Sequence, residues 1–562
     1  MPSTIDKPIF FIEFASFRLN PSAILASWQG HHVDKSRLLQ SRTRPRLTNS
    51  HSWAMKRNSR DMIAAHRCAK HVNLEVDAVY KLKSVISILT LISVGCVTPA
   101  IAQAPDEMQS NPCPPPDFKG KGPPADRGAP PPGLGQKPDG PPPGPPPGGG
   151  ACGGPGGAQR AQLGGAFAVD KPVIPLQTNK HYASHTSDIS AVYVNGAGRL
   201  HLVNPDIEKS GDSSSRDNSS FYGLNAAVLI AHGGVLSIKN GHIRSDGVGA
   251  NAVSSVGEKS FAELAGSTIV ASGNGAHGVD VSGGGAILLR NVVIETSGAS
   301  AAAVATDRGG GTVTVVGGRF SASGYRSPGI YSTGTIRVRD AEIHAAGAEA
   351  AVIEGSNSIE ISNSALTADK SWGVMLYQSF SGDAKGQHSR FTQHGGSLRA
   401  AEGPLFYVNN ATGEITLDGV AVNVRAGIIV RAAADQWGVK GHNAGHAILT
   451  VRHQHLPGDL VAQDGGSLVA SLNEGSVLIG RTQNASLAFD AGSRWDVTGN
   501  SGVEALTIEG ESVADKLNHI RSNGHQVTYD VRLPENGWLG GKSWPLEGGG
   551  GLHPVAGTAK PQ

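Results

Sequence analysis

The chain has 562 residues, of which 76 are glycine and only 17% are charged, and its formal net charge is +2. That balance carries no basic footprint for nucleic acid. Its four cysteines, Cys68, Cys96, Cys113 and Cys152, show no C-x-x-C spacing of the kind that holds a metal.

Residues 1–80 are rich in Arg, Lys, His and Ser, with no clear apolar period. Two readings stand: an atypical N-terminal extension, or an over-extended start with translation beginning at Met55 or Met62. Residues 81–102 have the layout of a secretory signal peptide. Lys81-Leu-Lys83 is its basic end, Ser84 to Thr98 its apolar run, and Ala100-Ile-Ala102 its small-x-small cleavage site ahead of Gln103. The apolar run is too short for a membrane span. Lipoprotein processing at Cys96 is a rival, although Ser93 stands where leucine is usual. The expected location is extracellular or on a bacterial cell surface, with periplasmic or outer-membrane association left open.

Residues 103–165 are a Pro/Gly-rich linker. Runs such as Pro141-Pro-Pro-Gly-Pro-Pro-Pro147 favour extended polyproline II, and glycines loosen it. Cys113 and Cys152 flank most of it, either as a closing pair or as two free thiols. Residues 166–224 are expected to form an N-terminal cap. Ala191-Val-Tyr-Val194 and Arg199-Leu-His-Leu-Val203 read as strands, and Asp206 to Ser220 as a polar insertion.

The region 225–510 carries a repeat. An apolar residue recurs at Ile243, Ile269, Ile294, Phe320, Ile343 and Leu366, at intervals of 23–26 residues. A second strand-like phrase precedes each, as at Leu236/Ile238 and Val313/Val315. A third recurs at Val228, Val253, Val279, Val304, Ile330, Val352 and Val374. Period-two alternation between Gly/Asn/Ser turns gives three short strands per coil. The expected fold is all-β: a right-handed parallel β-helix of 22–26-residue coils, each stacking on the next. A β-sandwich is the structural rival, but it lacks the fixed interval. Val228, Val279, Val304, Ile330, Val352 and Val374 are expected in one inward stack. A 32-residue interval from Val374 to Phe406 marks an insertion over Ser379 to Gln387. Residues 511–562 read as a C-terminal tail.

The run Ala491-Gly-Ser-Arg-Trp-Asp-Val-Thr-Gly-Asn-Ser501, followed by Val503-Glu-Ala-Leu-Thr-Ile508, resembles the last coils of autotransporter passenger domains, the pertactin-like adhesins. More widely, residues 190–510 resemble the β-helices of the pectin-lyase-like superfamily, which holds lyases, hydrolases and adhesins alike. The resemblance implies fold more than activity. An autotransporter ends in a membrane β-barrel of several hundred residues, whereas about sixty follow Ser501. A passenger-like body without its own translocator is therefore expected.

Candidate site residues lie outward on the third strand, where equivalent positions of successive coils stack into a wall. One residue past each inward position stand Asp280, Ala305, Tyr331, Ile353 and Met375. Three past stand Ser282, Asp307, Thr333, Gly355 and Tyr377. Asp307, Arg308 and Asp383 are the candidate catalytic groups. Tyr331, Tyr377, Asp307, Arg308 and Asp280 are candidate contacts to a polysaccharide or other cell-surface ligand, with the tyrosines as stacking platforms. No cofactor is expected; Ca²⁺ enters only if Asp307 and Arg308 serve a β-elimination. The galacturonan-hydrolase patterns Asn-Thr-Asp, Gly-His-Gly and Arg-Ile-Lys do not occur, nor does the Arg-x-Pro-x-x-Arg of pectate lyases. The expected function is an adhesin-like, structural or glycan-binding surface protein. The alternative is a polysaccharide lyase or glycoside hydrolase on the same fold.

Overall fold

The computed structural model describes residues 162–172, 176–380 and 384–556, all within the unit Cys113–Gln562. The signal-peptide reading over 81–102, all four cysteines and Asp383 lie outside these residues.

Each coil is three strands, as Val235–Lys239, His242–Ser245 and Val253–Val256 illustrate. In the first two strands alternate residues are buried, and these are the apolar phrases of the repeat. The first and second strands meet at a corner one residue wide, which needs a left-handed backbone. In successive coils that corner is Asn179, Asn204, Asn240, Gly266, Asn291, Gly317, Asp340, Asn363, Gly395, Gly419, His453 and Glu474, with φ between 47° and 70°. Asn, Asp and Gly tolerate this region best, which explains the recurrent Asn and Gly before each second strand. The asparagines also bond along the stack: the Asn204 amide donates to Asn179 Oδ1 at 2.9 Å. A Cβ on Gly317 would sit 2.2 Å from Asn291 Oδ1, so glycine alternates with asparagine where the ladder is tight.

The third strands form one 13-stranded sheet, running from Gly164–Val169 to Thr482–Gln483. Its pairings are parallel throughout, each strand bonding to its equivalent one coil on. First and second strands join in a 25-stranded sheet. In the last coils the second-strand place passes to a 4-stranded sheet that includes His455–Pro457 and Arg494–Val497. The interior is one continuous apolar core of Val, Ile, Leu, Ala and Phe.

The inward stack of the third sheet runs Val228, Val253, Val279, Val304, Ile330, Ala351, Val374 and Phe406. Val352 is not in it. It pairs with Tyr331 and Met375 and faces outward, while Ile353, expected outside, is in the core. The turn before this strand spans 346–350, against 323–329 one coil earlier, and the repeat starts the strand one residue sooner. Because strand side chains alternate with period two, that slip exchanges the faces.

The coils also extend past the expected boundaries. Gly164–Val169, Gln177–Thr178 and His181–Ser184 pair in register with the next coil, so the solenoid already winds within 166–224, which also holds an insertion. Gln526–Asp530 and Gly551–Val555 continue the winding beyond 510. The insertion proper holds helix α1, Arg216–Tyr222. The Ser215 hydroxyl caps it by accepting from the Asn218 N–H, and Gly223 ends it in a left-handed turn. Near the C-terminal end a shorter helix α2, Val513–Leu517, starts on a Ser512/Asp515 capping box.

Candidate functional site

The outer face of the third-strand sheet differs from every other surface of the solenoid, because it is buried too. The strands Val279–Ser282, Ala351–Glu354, Val374–Tyr377 and Phe406–Asn409 are buried at all four positions. Outward columns run Leu229, Ser254, Asp280, Ala305, Tyr331, Val352, Met375, Tyr407, Arg431, and, two residues on, Val256, Ser282, Asp307, Thr333, Glu354, Tyr377 and Asn409. Chain excursions fold over them.

At the N-terminal end the cover is α1. The Ser282 hydroxyl donates to Phe221 O at 2.9 Å, and the Arg308 guanidinium lies 3.7 Å from the Phe221 ring centre. Beneath is Asp280, 0% exposed. Its Oδ2 accepts from the Asn251 amide at 3.3 Å, and its Oδ1 has no protein partner. Burial, with the nearby Asp307 carboxylate adding to it, raises Asp280 well above the usual carboxylate range, which favours its neutral form. His277 beside it is pushed down to about 4, chiefly by burial. Its Nδ1 accepts from the Ala302 N–H at 2.9 Å, as a neutral ring can.

In the middle of the face Glu354 is the hub. Tyr331 donates to Glu354 Oε2 at 2.6 Å and Tyr377 donates to the same oxygen at 2.8 Å, while the Ser379 hydroxyl donates to Oε1. Burial first, and the Glu354 carboxylate next, push both tyrosines upward, which keeps them protonated as donors. Around this hub stands an aromatic cluster. Trp437 packs on Tyr377 with ring centres 5.2 Å apart, and Trp372 on Tyr407 at 4.3 Å. Phe380, 62% exposed, lies 6.2 Å from Trp437.

Toward the C-terminal end the cover thins: Asp459–Ala462 is still buried at all four positions, and Gln483 and Asn484 beyond it are exposed. Tyr407 donates its hydroxyl to Asp435, and the Arg431 guanidinium lies 5.7 Å from the Tyr407 ring centre. Beyond it is a cavity of about 410 Å³ lined by Arg431, Gln463, Asp464, Gln483 and Asn484. A second, of about 230 Å³, is lined by residues that include Asp459, Arg481, Gln483, Asn484 and Asn500.

Residues 190–392 match a protein family described as the right handed beta helix region. That span covers the coils whose strands pair in parallel from Ile189–Asn195 onward. The fold is a right-handed parallel β-helix. No curated protein and no solved structure matches the chain. Among the described residues of this β-helix, no helix is long and apolar enough to cross a membrane, and no group of three His, Cys, Asp or Glu residues is placed to hold a metal.

The β-helix puts Asp280, Asp307 and Arg308 together under α1, and Tyr331 and Tyr377 together on Glu354. It does not leave them open. Tyr377 is 8% exposed and Tyr331 is half-buried, with both hydroxyls engaged. The expectation of free stacking platforms is therefore corrected: outward on a strand is not exposed where an insertion lies across it. Sequence reasoning missed the hub role of Glu354, because the one-residue slip had placed Gly355 in its column. It also missed Tyr407, Asp435, Trp437 and Arg431. The signal was the long excursion 433–445, which interrupts the coil rhythm as 379–387 does.

Proposed function

We propose that this protein is an exported, adhesin-like β-helix that binds a polysaccharide or cell-surface glycan on the outer face of its third-strand sheet without turning it over. The observation that carries this reading is the division of that face. Its carboxylates Asp280, Asp307 and Glu354 are buried, whereas its more open stretch offers Arg431, Gln463, Gln483 and Asn484 with the single exposed carboxylate Asp464. Glycoside hydrolysis needs two carboxyl groups that reach the scissile bond. A lyase needs a base that reaches the sugar, and the buried tyrosines are shifted away from ionisation. Aromatic rings beside amides and a guanidinium are, by contrast, the usual means of holding sugars without chemistry. Export rests on residues 81–102, and cleavage after Ala102 would give secreted protein beginning at Gln103.

The test incubates secreted protein with neutral and uronate polysaccharides and follows both retention and product release. Retention without unsaturated or reducing-end products is the expected result. Release of unsaturated sugars that is lost in Asp307→Asn or Arg308→Ala would overturn the reading and make the face that of a lyase.

A further inference from the structure

We propose that the two joined cavities at the C-terminal end of this face seat consecutive pyranose units of a neutral, hydroxyl-rich glycan, with Arg431 and the Gln463/Gln483 pair as the principal contacts. This deepens the binding reading and rests on it.

Arg431 Nε is buried and meets no acceptor in the protein. A buried donor without a partner is costly, and here it lies on a residue that lines a cavity. The Tyr407 ring beside the guanidinium, itself fixed through Asp435, limits the positions Arg431 can take. Gln463 Nε2 donates to Gln483 Oε1 at 3.3 Å, which joins two neighbouring coils. Each amide then keeps one further group, an oxygen on Gln463 and a nitrogen on Gln483. One acceptor and one donor side by side match a pair of adjacent sugar hydroxyls, each of which can donate and accept. Asn484, anchored by its Nδ2 to Ala462 O at 3.1 Å, is common to both cavities, as is Gln483.

Charge selects against an acidic sugar. Asp464 lines the first cavity with Arg431, and Asp435 is bonded to the adjoining Tyr407. In the second, Arg481 is already committed: its Nη2 and Nε donate to Asp459 Oδ2 at 2.6 and 2.9 Å. Three carboxylates thus stand against two guanidiniums, a net negative lining that disfavours a ligand carboxylate. The register also suits a polymer. Gln483 sits two coils on from Arg431, and the coil spacing of ~4.8 Å is close to the length of one pyranose unit.

Isothermal titration of the full exported chain with hexasaccharides of β-glucan, β-mannan and galactan, and with hexagalacturonate, tests this. At least one neutral hexasaccharide is expected to bind, and hexagalacturonate at least tenfold more weakly. Arg431→Ala and Gln483→Ala are each expected to weaken the neutral ligand at least tenfold, with thermal melting unchanged. Stronger binding of hexagalacturonate would overturn the neutral-ligand assignment. Binding that survives both substitutions would overturn the subsite and leave the glycan-binding reading standing. If the unsubstituted protein binds none of the four, both fail together.

Discussion

Two walls of one solenoid are built from the same kind of strand and treat their outward side chains in opposite ways. On the sheet of first and second strands, outward residues are solvated and pair across coils: Arg290 with Glu263, Arg319 with Glu342, Arg337 with Glu360 and Arg390 with Glu414. On the third-strand sheet the outward columns from Leu229 to Asn409 lie largely under α1, Ser379 and Phe380, and the excursion at 433–445. There the polar groups are unlike their solution selves: burial raises Asp280, Tyr331 and Tyr377 well above their usual ranges and pushes His277 down to about 4. A β-helix repeats its backbone but not its environment. Perturbed side-chain chemistry sits on the wall where insertions exclude water, because a charge–dipole contact is worth more there and a loss costs more.

The largest expected effect is the one both walls share, the interior. Val304→Asp places a charge among Val279, Ile330 and the core with no partner. Destabilisation on the order of 4 kcal/mol or more is expected, read as a lowered melting temperature or loss of soluble protein. A melting curve like that of the unsubstituted chain would break the stack. Next is the third wall's hub. Glu354→Ala leaves the hydroxyls of Tyr331 and Tyr377 without their acceptor in a buried setting. A cost of about 1–3 kcal/mol is expected from the unsatisfied donors, measurable by urea unfolding.

How much of this was legible in the sequence follows the same division. The interval between Ile243, Ile269, Ile294 and Phe320 specified coils, strands and the inward faces, because a solenoid interior imposes the same size limit at every turn. Val352 was misplaced because no local feature of Ala-Glu-Ala-Ala-Val-Ile announces a turn two residues shorter than the last. The columns holding Asp280, Asp307, Tyr331 and Tyr377 were legible for the same reason the coils were. Their burial was not, since what covers Tyr377 is Trp437, sixty residues on, and what covers Asp280 is a helix inserted before the repeat settles. Long-range cover of this kind leaves no period to read.

A pH experiment sharpens the comparison. Asp280 has a folded pKa above its unfolded value, so the folded state holds a proton that the unfolded state releases. Its effect is therefore to lower stability as pH rises above the ordinary carboxylate range, up to its own raised pKa. His277 acts with the opposite sign: its folded pKa of about 4 lies below the usual value for histidine, so stability increases from about pH 4 to that value. The two oppose each other in mildly acid solution. Asp280→Asn should therefore unfold at a urea midpoint that falls less than the unsubstituted protein's as pH rises from about 4, the ordinary carboxylate range, into mildly acid solution. Parallel midpoints for the two proteins over that window would mean that folding does not raise the Asp280 carboxyl.

The smallest expected effect is on the open wall, and it matters because the comparison depends on its being small. Arg337 and Glu360 are each about half exposed, at 2.9 Å across adjacent coils. Water screens such a pair, and ordering two long side chains offsets much of the attraction. Arg337→Ala should change unfolding free energy by less than about 0.5 kcal/mol, and by less still in high salt. Glu360→Ala should behave alike, and the double variant should show little coupling energy. A coupling of the size expected for Glu354 with its tyrosines would mean that the cross-coil ion pairs also hold the solenoid together. The contrast between a solvated wall and a covered one would then fail as an account of where this chain places its chemistry.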